Sequence, residues 1–167
     1  MKRRKFLIFS SVFSLSIPSF AKKNATELDK SLRNVEKTIQ SVQEHLFPEG
    51  SKIPSAKEMN AIEFLKKTIM HVSYDKDIRL FVIEGAKRLE EREKGKFTSY
   101  LDDKKEEALR DYEETNYGSY WLSRIMIITM EGIFSDPIYG SNIKEDGWKA
   151  LGAYGGVPRP TTRYIKL

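Results

Sequence analysis

Between Tyr120 and Phe134 the chain reads Trp121, Leu122, Ile125, Met126, Ile127, Ile128, Met130, Ile133 and Phe134, with Arg124 and Glu131 as the only charges. A helix that is apolar on nearly every side cannot present a face to water, so it has to lie at the centre of the packing or be covered on one side by another protein. This segment dictates a layered arrangement in which amphipathic helices surround it. Residues 24 to 46 supply one such helix. Leu28, Leu32, Val35, Ile39, Val42 and Leu46 alternate at spacings of four and three, and Phe47-Pro48-Glu49-Gly50 ends the run. So narrow a stripe lines a core or forms a seam against one partner helix, in this fold or on another subunit.

Local signals place the remaining helices. Ser55 and Glu58 have the spacing of a capping box and predict a second helix from Ala56 through Met59, Ile62, Leu65, Ile69 and Val72. A third is predicted after Asp75, carrying Ile78, Phe81, Val82 and Leu89 to the charged run Glu90–Lys94 and the stop at Gly95. Asp103 with Glu106 repeats the capping spacing for a fourth, reaching about Glu114. No strand-like alternation and no internal repeat is visible, so the fold class is all-α, a single helical domain of about five helices over residues 22–135. From residue 136 to 167 the composition shifts to Gly147, Gly152, Gly155, Gly156, Pro137, Pro158 and Pro160, interleaved with Tyr139, Trp148, Tyr154 and Tyr164. Glycine and proline oppose long regular structure while large aromatics require burial, which predicts an irregular tail folded onto its own helices or onto a partner.

The N-terminus reads as an export signal. Arg3-Arg4-Lys5-Phe6-Leu7 heads a short apolar stretch diluted by serines, and Ser19-Phe20-Ala21 offers small residues for cleavage after Ala21. Adjacent arginines before Phe6 and Leu7 fit the twin-arginine route, which carries folded proteins; a plain secretory signal is the simpler alternative. The 15 residues from Phe6 to Phe20 fall short of the roughly 20 needed to span a bilayer. Lys2, Arg3, Arg4 and Lys5 account for four of the five net positive charges, so residues 22–167 carry only +1. Nucleic-acid binding thereby loses its compositional support. There is no cysteine, hence no disulfide framework, no cysteine-ligated cluster and no covalently attached c-type haem in this chain.

Catalytic signatures are sparse. The chain has no phosphate-binding loop, and Gly152-Ala153-Tyr154-Gly155 lies in a proline-containing tail instead of between a strand and a helix. His45 and His71 fall near helix ends, where a partly exposed histidine is ordinary, and ligation of a metal or haem by the two together is the less favoured reading. Asp136, Asn142 and Asp146 do not follow a calcium-loop spacing, and Glu106, Glu107, Glu113 and Glu114 read as a wet helix surface. The expectation is a chain with no catalytic, cofactor-binding or metal site of its own.

One run of residues resembles a known family. Glu131-Gly132-Ile133-Phe134-Ser135-Asp136-Pro137-Ile138-Tyr139-Gly140-Ser141-Asn142, followed by Gly147-Trp148-Lys149-Ala150-Leu151-Gly152, is similar to the C-terminal signature of the small subunit of membrane-bound gluconate 2-dehydrogenase, the subunit 3 family. Ser141 departs from the glycine common there, as does Ala153-Tyr154 before Gly155 from an aromatic-Pro-Gly pattern. The resemblance implies a complex in which a large flavoprotein subunit oxidises a polyol or sugar acid with FAD and a multihaem cytochrome c subunit passes electrons on. This chain would then be a non-catalytic subunit whose signal also exports the signal-less flavoprotein, through the twin-arginine translocase and signal peptidase, to the periplasm beside the inner membrane. It implies a motif and partner interface at Trp121, Asp136, Pro137, Tyr139, Gly140, Asn142, Gly147, Trp148, Lys149 and Gly152. A free-standing periplasmic helical binding protein or chaperone is the alternative.

Overall fold

The computed structural model describes the backbone over residues 17–163 and side chains over residues 27–163, so Arg3, Arg4, Phe6 and Leu7 lie outside the described residues. The chain divides into two compact units, residues 1–34 and 35–167. Helix α1, Ile17–Leu46, runs through the division, and Ala21 falls within its described backbone. In the first unit Asp29 and Arg33 make an ion pair of 2.7 Å one helical turn apart on the surface.

The second unit holds α2 (Ala61–Met70), α3 (Lys76–Arg92), α4 (Asp102–Glu113), α5 (Asn116–Phe134) and α6 (Asp146–Ala150), with single 3-10 turns at Phe97–Ser99, Pro137–Tyr139 and Ile143–Glu145. No strand occurs among the described residues, and none of their helices is long and apolar enough to cross a membrane. The all-α expectation holds.

Helix α5 is central: α2, α3 and α4 all pack against it. Its Trp121 is fully buried, donates through Nε1 to the Val82 carbonyl at 2.9 Å, and meets Tyr112 with ring centroids 5.8 Å apart. The indole fits because α3 has Gly85 beneath it; a Cβ there would lie 2.0 Å from Trp121 Cδ1. Val35, Ile39 and Val42 of the α1 stripe are buried, as are Leu65, Ile69, Leu89, Ile125, Ile128 and Ile133. Burying each of these aliphatic chains is worth about 1.5–3 kcal/mol, which is what holds a cysteine-free domain together.

Helix boundaries differ from the sequence expectation in α2, α4 and α5. The Ser55–Glu58 capping box forms, with Ser55 N to Glu58 Oε2 at 2.9 Å and Glu58 N to Ser55 Oγ at 3.2 Å, but it closes only one turn. Asn60 then adopts a left-handed conformation (φ 55°), and Ala61 N bonds to Ala56 O while Asn60 N bonds to Lys57 O. That pair of bonds is a Schellman-type stop, so α2 starts afresh at Ala61 instead of Ala56, and it ends at Met70, which leaves Val72 outside and 91% exposed. Helix α4 begins at Asp102 with Leu101 as its uncapped N-cap, so Asp103 sits in the first turn and helps the helix dipole, not a capping box. Helix α5 begins four residues before Tyr120, where the Thr115 side chain accepts from Gly118 N at 2.9 Å.

Candidate functional site

The last turn of any helix leaves carbonyls without intrahelical donors. At the end of α5 the residues of the Glu131–Gly152 run supply those donors. Ser135 bonds Gly132 O through its amide at 3.3 Å and through its hydroxyl at 3.0 Å. Trp148 Nε1 donates to Phe134 O at 2.7 Å, and Asn142 Nδ2 donates to Ser135 O at 2.8 Å. Asn142 is fully buried and left-handed (φ 49°), and its Oδ1 accepts from Gly147 N at 2.9 Å, which closes the loop. Gly147 has to be glycine for steric reasons, since a Cβ would lie 2.1 Å from Ile133 O. The result is a clasp that turns the chain back over the end of α5.

The other predicted residues frame this clasp. Asp136 caps the Pro137–Tyr139 turn by accepting from Ile138 N at 3.0 Å, and Pro137 occupies the turn's first position. Gly140 takes φ 86° to leave the turn, and its carbonyl accepts from Asn60 Nδ2 at 3.3 Å. Lys149 is exposed and paired to Asp146 at 3.0 Å, and Gly152 (φ 63°) ends α6. Over residues 136–152 side-chain caps thus do what long regular structure does elsewhere. Trp121 is corrected in place, being core and not surface.

Two further residues complete the clasp, Arg159, which the sequence reading did not name, and Ser141, which it named only as a departure from the family's glycine. Arg159 pairs with Asp136 at 3.2 Å and with Glu145 at 3.3 Å, and its guanidinium lies 4.5 Å from the centre of the Trp148 ring. Ser141, fully buried, donates its hydroxyl to Met59 O and ties the clasp to the turn before α2. The partners of neither had a sequence signal, because both residues act through contacts distant along the chain.

Helix α5 lies at the centre of the packing, as one of the two sequence readings has it, yet one of its sides is left open to water. Tyr120 is 74% exposed, Met126 41%, Ile127 45% and Met130 42%, all on one helix face. At the lower end of this face opens a cavity of about 400 Å³ walled mainly by Phe64, Tyr74, Tyr139 and His71, with Glu131 and Asp136 also lining it. Apolar surroundings push the Glu131 carboxyl above its usual range, against the pull of Arg124. A second cavity, of about 490 Å³, is lined by His45 and residues of α4.

Chemically, the two histidines do not meet. His45 Nε2 bonds Glu106 Oε2 at 2.7 Å, His71 Nδ1 bonds Ser73 Oγ at 2.7 Å, and each lines a different cavity. They form no pair that could ligate one haem or metal. Among the described residues no three His, Asp or Glu side chains converge as a metal would require. No curated protein and no solved structure matches the chain. The family model described as gluconate 2-dehydrogenase subunit 3 matches residues 34–156, which contain α2 to α6 and the clasp, and the chain belongs to that family.

Proposed function

We propose that this chain is the non-catalytic small subunit of a periplasmic, FAD-dependent gluconate 2-dehydrogenase-like complex, needed for export and assembly of a flavoprotein subunit that has no signal of its own. Family membership implies association with other subunits of a dehydrogenase complex. The observation that carries the choice of surface is the exposed apolar face of α5, because four large apolar side chains in water on an otherwise central helix mark an interaction site. FAD belongs to the large partner in this reading, and haem c to a cytochrome subunit. Arg3-Arg4 supports the twin-arginine route for both subunits together.

The test is co-expression of the chain with its flavoprotein partner, followed by fractionation and affinity capture. Replacing Arg3 and Arg4 together by Lys is expected to strand dehydrogenase activity in the cytoplasm. Periplasmic activity that survives this change, with the partner still signal-less, counts against the export role; failure of the two chains to co-purify counts against assembly.

A further inference from the structure

The cavity of about 400 Å³ at the lower end of the α5 face has a lining that discriminates by charge. Phe64, Tyr74 and Tyr139 wall it with aromatic rings, the Glu131 and Asp136 carboxylates and the His71 imidazole join them, and no Lys or Arg takes part. Asp136 is already matched by Arg159 at 3.2 Å. Glu131 is not: among the described residues it makes no hydrogen bond and no ion pair. It is an exposed residue, so an incoming group can reach its carboxylate.

The helix puts that carboxylate on the docking face. Tyr120, Arg124, Ile127 and Glu131 are spaced by four, three and four residues, which makes one row along α5, and Glu131 ends the row where the cavity opens. Arg124 stands two turns back, about 10 Å along the axis and beyond ion-pair reach, and it makes no hydrogen bond or ion pair either. Its pull on the Glu131 carboxyl is weaker than the upward push of the apolar surroundings, so the charge is incompletely compensated within the chain. A protein that covers the row strips the remaining water from Glu131. A carboxylate sealed against apolar surface without a counter-charge is costly, so the covering chain has to bring a cation to it.

Three rings beside a carboxylate suit a guanidinium better than an ammonium. The guanidinium is planar and weakly hydrated, stacks on aromatic faces and offers paired donors to a carboxylate, whereas an ammonium holds its water tightly. The volume lies within the range of sites that take a whole small molecule, so one long side chain enters without repacking of the wall.

We infer that this cavity receives an arginine side chain of the flavoprotein partner, its guanidinium on the Glu131 carboxylate and its stem against Phe64, Tyr74 and Tyr139. The inference rests on the assembly reading with α5 as the docking face, and adds to it the chemistry of the residue that the partner presents there.

Two measurements separate the cavity from the assembly. In the first, the isolated full-length chain is titrated at constant ionic strength with N-acetyl-arginine amide and with its neutral isostere N-acetyl-citrulline amide, followed by amide NMR shifts. Saturable shifts centred on His71, Tyr74, Glu131 and Tyr139 are expected with the arginine probe, with binding about threefold tighter or more than that of citrulline. In the second, Glu131→Gln is expected to weaken the arginine probe and to lower affinity for the flavoprotein about tenfold or more, and Glu131→Lys to lower it further. Because Glu131 makes no ion pair, both variants should melt within a few degrees of wild type. Equal binding of the two probes, absence of saturable shifts, or partner affinity unchanged in Glu131→Gln while Ile127→Asp lowers it overturns the inference and leaves the assembly reading in place. A wild-type chain that binds no flavoprotein while the arginine probe still saturates the cavity overturns the assembly reading instead, and guanidinium recognition by the cavity stands.

Discussion

Asn142 and Gly147 are locked to one another: the buried Asn142 carboxamide accepts from Gly147 N at 2.9 Å while its nitrogen donates to Ser135 O at 2.8 Å. One side chain thereby satisfies a loop amide and a carbonyl just past the end of α5. Asn142→Ala leaves both groups unsatisfied and puts alanine at φ 49°. The expected loss is about 2–4 kcal/mol by chemical denaturation, with helix content retained. Gly147→Ala, with its Cβ 2.1 Å from Ile133 O, is expected to be at least as damaging. Full stability in either variant would remove the clasp from the account.

Gly85 and Trp121 test the core. Because a Cβ on Gly85 would overlap the indole at 2.0 Å, Gly85→Ala is expected to cost about 1–3 kcal/mol despite the better helix propensity of alanine. Tryptophan emission should shift to the red as Trp121 is displaced. A more stable variant would refute the packing of α3 on α5.

On the exposed face of α5, Ile127→Asp or Met130→Asp should leave the melting temperature of the isolated chain within a few degrees of wild type, because both side chains already meet water. Affinity for the flavoprotein partner should fall by about 30-fold or more, as for a central contact worth about 2 kcal/mol. Calorimetric titration reads both. Unchanged affinity would move the docking surface elsewhere.

The Glu106 carboxyl is held below its usual range, chiefly by its hydrogen bond to His45 and then by the nearby Arg110 guanidinium. A lowered folded-state value means the pair stabilises the fold fully above the ordinary glutamate value of about 4.3, and that the contribution fades as pH falls through the lowered value. Glu106→Gln should therefore lose stability at neutral pH and converge with wild type in acid. Thermal melts from pH 7 to pH 3 measure this, and parallel curves would exclude the coupling. The effect is small because the Glu106 side chain is 45% exposed.

Much of the fold was legible because its determinants are local. The cap at Asp75 is a side chain bonding amides two and three residues on, and the stop near Gly95 is a left-handed pair at Lys94 and Gly95. The Ser55–Glu58 box was equally legible, yet its turn ends at Asn60, whose carboxamide is drawn to Gly140 O, 80 residues away. The run from Glu131 to Gly152 announced a turn-rich motif, while Arg159 and the Met59 carbonyl that complete it arrive from elsewhere in the chain.

The sequence by itself determined that the protein is helical, that α5 is the apolar element the others need, and that Asn142, Gly147 and Trp148 belong to one motif. Periodicity and caps are short-range properties, and they survive in the unfolded chain as tendencies. Only the tertiary structure decided which face of α5 is spent on the core and which is left to water. Hydropathy along α5 is nearly uniform around its axis, so the choice depends on where α2, α3 and α4 dock. Once Gly85 admits Trp121 and Gly132 lies against Phe64, the helix's rotation is set and Tyr120, Met126, Ile127 and Met130 face outward.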